Sequence, residues 1–119
     1  MIMDPAAVTR LQEIGGPALV GTLVRLVLEE LPSRLARVEA AVVARDAAEL
    51  APAAHSLIST TGNFGAFQVS ELARRIELAA PAGDWEALGA DAANLMTLTR
   101  QFLQELEEVR MQVDGDARG

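Results

Sequence analysis

One side chain in this 119-residue chain stands apart chemically: His55, its single histidine. An imidazole can serve near neutral pH as a nucleophile, a proton carrier or a metal ligand. The chain contains no Cys, which excludes a thiol nucleophile, a zinc ribbon and a disulfide framework and leaves this ring as the main candidate for covalent chemistry. At ~100° per residue, Ala54, Leu57, Thr61 and Phe64 fall within about 40° of Leu50, whereas His55 falls roughly 140° away. The ring is therefore expected to point out of the helix that carries it. Ile58 and Ser59, three and four residues on, lie on its side and leave room for a partner to approach. The plain alternative is a histidine that is merely solvated. Gly62 and Gly65 each cost about 1 kcal/mol in a helix relative to Ala, which points to close helix packing or a turn. For Gly65 a helix C-cap is the preferred account.

The elements that must position this ring are legible from punctuation and spacing. Asp4-Pro5 opens a short helix with Val8, Leu11 and Ile14 on one side, which stops at Gly15-Gly16. Pro17 opens a long helix toward Ala44 with an apolar stripe of Val20, Val24, Val27, Leu31, Leu35, Val38 and Val42, and Pro32 is expected to bend it. Asp46, with Glu49 in a capping-box relation, opens the His55 helix, whose regular part is expected to begin near Pro52. A fourth helix spans about Ala66 to Ala80, with Val69, Leu72, Ile76 and Ala79 inward. After Pro81-Ala-Gly83, Asp84 caps a fifth, in which Leu88, Ala92, Leu95, Thr99, Phe102, Leu106 and Val109 repeat at four and three. The tail Asp114 to Gly119 is expected to fray.

No segment alternates like a strand, and the connections are short enough to make neighbouring helices antiparallel. The expected fold is all-α: an up-down-up-down four-helix bundle with a short extra N-terminal helix, forming one domain over residues 1–119. Composition agrees, since 50% of residues are hydrophobic but only 3% aromatic, which suits an aliphatic helical core. A net charge of −7, with ten Arg, no Lys and no basic cluster beyond Arg74-Arg75, argues against nucleic-acid binding. No uninterrupted apolar run is long enough for a membrane span and no signal-peptide layout is present, so a cytoplasmic monomer that does not engage membranes is expected. A carboxylate-bridged metal bundle is disfavoured, because Pro52 stands where a Glu-x-x-His pair needs its Glu. No Gly-rich phosphate loop suggests nucleotide binding. The seam on the last helix leaves a helical dimerisation module as a competing structural role.

The stretch AAHSLISTTGNFGAFQVSELARRIELAA resembles the signature of histidine-containing phosphotransfer (HPt) domains. His55, Leu57 two residues on, Ser59 four on, Asn63 eight on, Gly65 ten on and the later Leu72 match that pattern. LEELPSRLARVEAAVVARDAAEL upstream and AGDWEAL downstream look like the same family's second helix and the start of its last, so the similarity covers nearly the whole chain. The resemblance implies that His55 is a phospho-acceptor, taking a phosphoryl group from one receiver-domain aspartate and passing it to another in a multistep two-component phosphorelay. It implies response-regulator receivers or a hybrid sensor histidine kinase as partners, and no cofactor of the chain's own, with Mg²⁺ supplied by the receiver. Phosphoryl transfer is mostly positioning and charge neutralisation, so a bundle that exposes one rigidly mounted imidazole suffices.

The family usually carries Lys three residues after the His, and this chain has Ile58. The ammonium would offset phosphoryl charge, a contact worth about 1 to 2 kcal/mol, or roughly tenfold in rate. Ile58 has two readings, as a packing residue at the edge of the core stripe or, with Ser59, as part of an apolar receiver footprint. The family pattern places Glu77 near the His, where it would orient the ring; otherwise it is a surface acid. Arg74 is a candidate substitute cation or a solvated partner of Glu77. Leu26, off the main stripe, is either an exposed contact or packs under the first helix. The missing Lys also motivates an alternative, an HPt-like adaptor that binds a receiver or kinase without being phosphorylated.

Overall fold

The computed structural model describes residues 1–117. Its four helices are α1 (Pro5–Ala44), α2 (Ala47–Asn63), α3 (Phe67–Ala79) and α4 (Trp85–Ala117), with a 3-10 turn at Ala80–Ala82 before α4. Only Arg45 and Asp46 separate α1 from α2, and Arg45 makes the reversal in a left-handed conformation with φ 51°. α1 packs on α2 and α4, and α3 packs on the same two helices, which closes a four-helix ring. The result is an antiparallel bundle measuring 52 × 20 × 20 Å.

The stripes expected from spacing form its core. Val20, Val24, Leu31 and Val38 of α1 are buried against Leu50 and Leu57 of α2, Val69 and Ile76 of α3, and Leu88, Leu95, Phe102 and Leu106 of α4. Each such side chain contributes roughly 1.5–3 kcal/mol on leaving water. By length and composition α1 could also cross a membrane, with a mean hydropathy of 1.3 over its most apolar window. In the bundle, however, its apolar stripe faces the other helices.

Four local expectations are corrected. The first two helices are one element, α1, broken internally at Gly16 with φ 70° and ψ −171°. Pro17 pushes the residue before it out of the helical region, and glycine accommodates the result. Ile14, which the spacing turns inward with Val8 and Leu11, is 71% exposed: Ala7 is buried and Val8 and Leu11 pack on the core, whereas Ile14 lies at the end of the segment, two residues before the break at Gly16. At Pro32, by contrast, α1 continues with helical φ/ψ, since Gly16 is the one non-helical residue inside it. α2 starts at Ala47 rather than near Pro52, with the Asp46 carboxylate accepting the Glu49 N–H at 3.1 Å. Finally, α4 stays helical through Ala117 instead of fraying from Asp114, which pairs with Arg25 of α1 and with Arg110 at 3.1 Å. The last two residues of that expected tail lie outside the described residues.

The turn between α2 and α3 anchors the N-terminal segment. Gly65 has φ 74°, and its carbonyl accepts the Asp4 N–H at 3.1 Å. A Cβ there would lie 2.8 Å from the Asp4 Cβ and 3.0 Å from the Ala7 Cβ. The Ile2 and Met3 N–H groups donate to the Glu105 carboxylate at 2.7 and 2.9 Å, which fixes the segment to α4 as well. Gly65→Ala should therefore lose at least about 2 kcal/mol, from left-handed strain plus overlap. Gly62→Ala, at a helical position where a Cβ meets only Ser70 at 3.4 Å, should stay within about 1 kcal/mol of the parent. Urea denaturation of both variants measures the difference, and equal stabilities would contradict the packing described.

Candidate functional site

The close contact of α2 with α3 builds the site. Small residues line it: Ala53, Ala54, Ala66 and Ala73 are fully buried, and Gly62 faces Ser70. The Ser70 hydroxyl donates to the Ile58 carbonyl at 3.1 Å, tying α3 directly to the α2 backbone. Buried Thr61 is satisfied within its own helix, donating to the Leu57 carbonyl at 2.7 Å. With Leu50, Ala54, Leu57, Thr61 and Phe64 all turned inward, His55 is left on the outer face of α2.

There the ring is open to solvent and also held. The His55 side chain is 69% exposed, while its Nδ1 lies 2.9 Å from Oε2 of Glu77 on α3, a carboxylate only 30% exposed. A carboxylate only accepts, so in the neutral ring Nδ1 carries the hydrogen and donates it to Glu77. Nε2 is then the unprotonated nitrogen, with its lone pair on the exposed side of the ring. A positioned nucleophilic nitrogen in this form can take up an electrophilic group by direct attack, without a separate base.

Of the other residues singled out from sequence, Ser59 is exposed on α2 one turn after His55. Ile58 is half-buried and packs on the core, in keeping with the edge-of-core reading. Arg74 does not pair with Glu77; it leans to Glu71 at 3.8 Å, one turn before it, as helical side chains point toward the helix N-terminus. Arg75 is drawn toward α4 by Asp91, with bonds of 3.2 and 2.8 Å. Leu26 is 46% exposed and lines a groove of about 370 Å³ with Leu11, Leu23, Thr60, Gly62 and Phe67, so it is neither buried nor isolated. Among the described residues no group of three His, Cys, Asp or Glu side chains is placed to hold a metal ion.

Arg34 was not legible as a site residue. Its guanidinium reaches from α1 to donate to the Ser56 carbonyl at 3.0 Å and to the Thr60 hydroxyl at 3.1 Å, while its other nitrogen pairs with Glu30 at 3.0 Å. The only sequence signal was the four-residue spacing from Glu30, which places two charges on one face of a helix but says nothing of α2.

Comparison with known proteins bears on the family and the fold. The sequence model of the Hpt domain family matches residues 22–112. The crystal structure of histidine-containing phosphotransfer protein B (HptB) from Pseudomonas aeruginosa PAO1 is similar, with a TM-score of 0.73 and 22% sequence identity over 98% of this chain and 94% of that one. At that identity the likeness establishes a shared fold, including the N-terminal residues that lie before the family match. No curated protein matches the sequence.

The tautomer set by Glu77 is directly measurable. In ¹⁵N spectra of the neutral ring, Nδ1 should carry the proton in the parent protein, and Glu77→Ala should move the ring to a mixture of both tautomers. Identical spectra for the two proteins would show that Glu77 does not fix the ring.

Proposed function

The chain belongs to the Hpt domain family, and from that premise we propose that it relays a phosphoryl group between receiver-domain aspartates through His55. The observation that carries this reading is an exposed imidazole whose inner nitrogen is bound to Glu77, leaving the outer one as the nucleophile. In the forward step the Nε2 lone pair attacks the phosphorus of a receiver aspartyl phosphate, and the P–O bond to the aspartyl carboxyl breaks. The electron pair leaves with that carboxylate. The ring then carries phosphorus on Nε2 and hydrogen on Nδ1, and the positive charge that develops lies against the Glu77 carboxylate. The reverse step returns the phosphoryl group to a second receiver. Any Mg²⁺ would be bound by the receiver's acidic pocket, where it offsets the charge on the transferring oxygens.

A receiver would dock over Ser59 and the partly apolar ground around it. The groove lined by Leu11, Leu26 and Phe67 lies along α2 beyond Ser59, at Thr60 and Gly62, and Leu26 and Phe67 are 46% and 54% exposed. An apolar centre with a polar rim suits a transient protein contact. Hybrid sensor kinases that carry a receiver fit the same surface.

The test is transfer of labelled phosphoryl from a phosphorylated receiver, with Mg²⁺ present. The parent protein should acquire acid-labile, base-stable label, and His55→Gln should acquire none while still binding the receiver. Binding of the receiver by the parent protein without any label would identify it as a non-phosphorylated adaptor and contradict the relay.

A further inference from the structure

The missing lysine leaves a charge problem that α2 cannot solve, since no Arg or Lys occurs in Ala47–Asn63. A phosphoryl group arriving at His55 meets the Glu77 carboxylate on one side, and the chain as a whole carries a net charge of −7. Any cation that the chain itself supplies comes from another helix. On α3, Arg74 is turned to Glu71 and Arg75 to Asp91. On α1, Arg37 pairs with Glu49 at 3.8 Å, in the first turn of α2 and six residues before the histidine.

Arg34 is placed differently. Its guanidinium is fastened to the backbone of Ser56, the residue next to His55, and to Thr60 one turn further on. At ~100° per residue, Ser56 and Thr60 lie about 100° and 140° round α2 from His55, on the side facing α1. Ile58, whose carbonyl is held by Ser70 of α3, lies about 60° round on the opposite side. The Glu77 carboxylate thus touches the imidazole from the α3 side, and the Arg34 guanidinium is fixed on the α1 side of the same helix, at the residue next to His55. Arg34 is 34% exposed, so its charge is partly shielded from solvent, and its remaining partner, Glu30, is an exposed side chain four residues away on the same helix. Exposed pairs of this kind are weak and are readily exchanged for a stronger anion.

We infer that Arg34 supplies the positive charge that the family usually draws from the lysine three residues after the histidine, delivered from α1 instead of α2. The inference rests on the relay reading of His55. It makes Arg34 a charge-compensating residue in phosphoryl transfer, and it accounts for a half-buried Ile58 where the family usually carries a cation. Arg34 also joins α1 to α2, so the experiment has to separate charge from packing.

Chemical phosphorylation with phosphoramidate does so without a protein partner. The P–N bond of the reagent breaks, ammonia leaves, and the phosphoryl group passes to Nε2 of His55. Initial labelling rates are compared in a double-mutant cycle of Arg34→Gln and Ile58→Lys. Arg34→Gln should slow labelling about three- to tenfold, the usual scale for losing one nearby charge. Ile58→Lys should restore the rate in the Arg34→Gln background, although it rebuilds none of the bonds between α1 and α2, and should add much less to the parent protein. Equal gains in the two backgrounds, or a parent rate in Arg34→Gln, would overturn the inference. Should Arg34→Gln fail to fold, Glu30→Gln replaces it: removing the carboxylate that shares the guanidinium charge from an exposed site should speed labelling, and an unchanged rate would overturn the inference. Failure of the parent protein to label at His55 at all would instead overturn the relay reading and take this inference with it.

Discussion

An exposed histidine side chain ordinarily samples several rotamers and both neutral tautomers. Here a single hydrogen bond, from Nδ1 of His55 to Glu77 on the adjacent helix, removes both freedoms while leaving the ring 69% exposed. That bond depends on how closely α2 and α3 approach. Ala53, Ala54, Gly62, Ser70 and Ala73 keep the interface narrow enough for a glutamate on one helix to reach a ring on the outer face of the other. Larger side chains at those positions would push the helices apart and release the imidazole.

The contact itself contributes little to folding, since an exposed pair is worth at most about 1 kcal/mol. Stability comes from the ring of four helices and their aliphatic core, and the geometry of the site is a by-product of that rigidity. The N-terminal residues extend the same scaffold. Gly65 ends α2, turns the chain and accepts the Asp4 N–H, while Glu105 holds the Ile2 and Met3 backbone against α4. The N-terminal segment is therefore held from two sides, by the turn after α2 and by α4. The proposed relay asks little more of the chain than placement and local charge.

Most of the fold could be read from the sequence because helical bundles write their core as a spacing of three and four. The stripes of α1, α2 and α4 were buried almost residue for residue, and the outward direction of His55 followed from the same arithmetic. Errors fell where local rules compete with tertiary packing. Pro32 and Pro52 carry strong local signals for interruption, yet helices committed on both sides by buried Leu31, Leu35, Leu50 and Ala54 run through them. Periodicity turns Ile14 inward with Val8 and Leu11, but it stands two residues before the break at Gly16 and stays exposed. The neighbour Glu77 came from family resemblance, because a contact between residues 22 positions apart has no signature in spacing. Arg34 had no signal of either kind: its relation to His55 exists only once α1 and α2 are in register.

The central claim is that Glu77 commits Nδ1 to a hydrogen bond and so makes Nε2 the nitrogen that carries the phosphoryl group. Uniformly ¹⁵N-labelled protein, phosphorylated and examined for ¹⁵N–³¹P coupling at His55, tests it most directly. The account predicts phosphorus on Nε2 with a proton still on Nδ1; phosphorus on Nδ1, or on a residue other than His55, would contradict it.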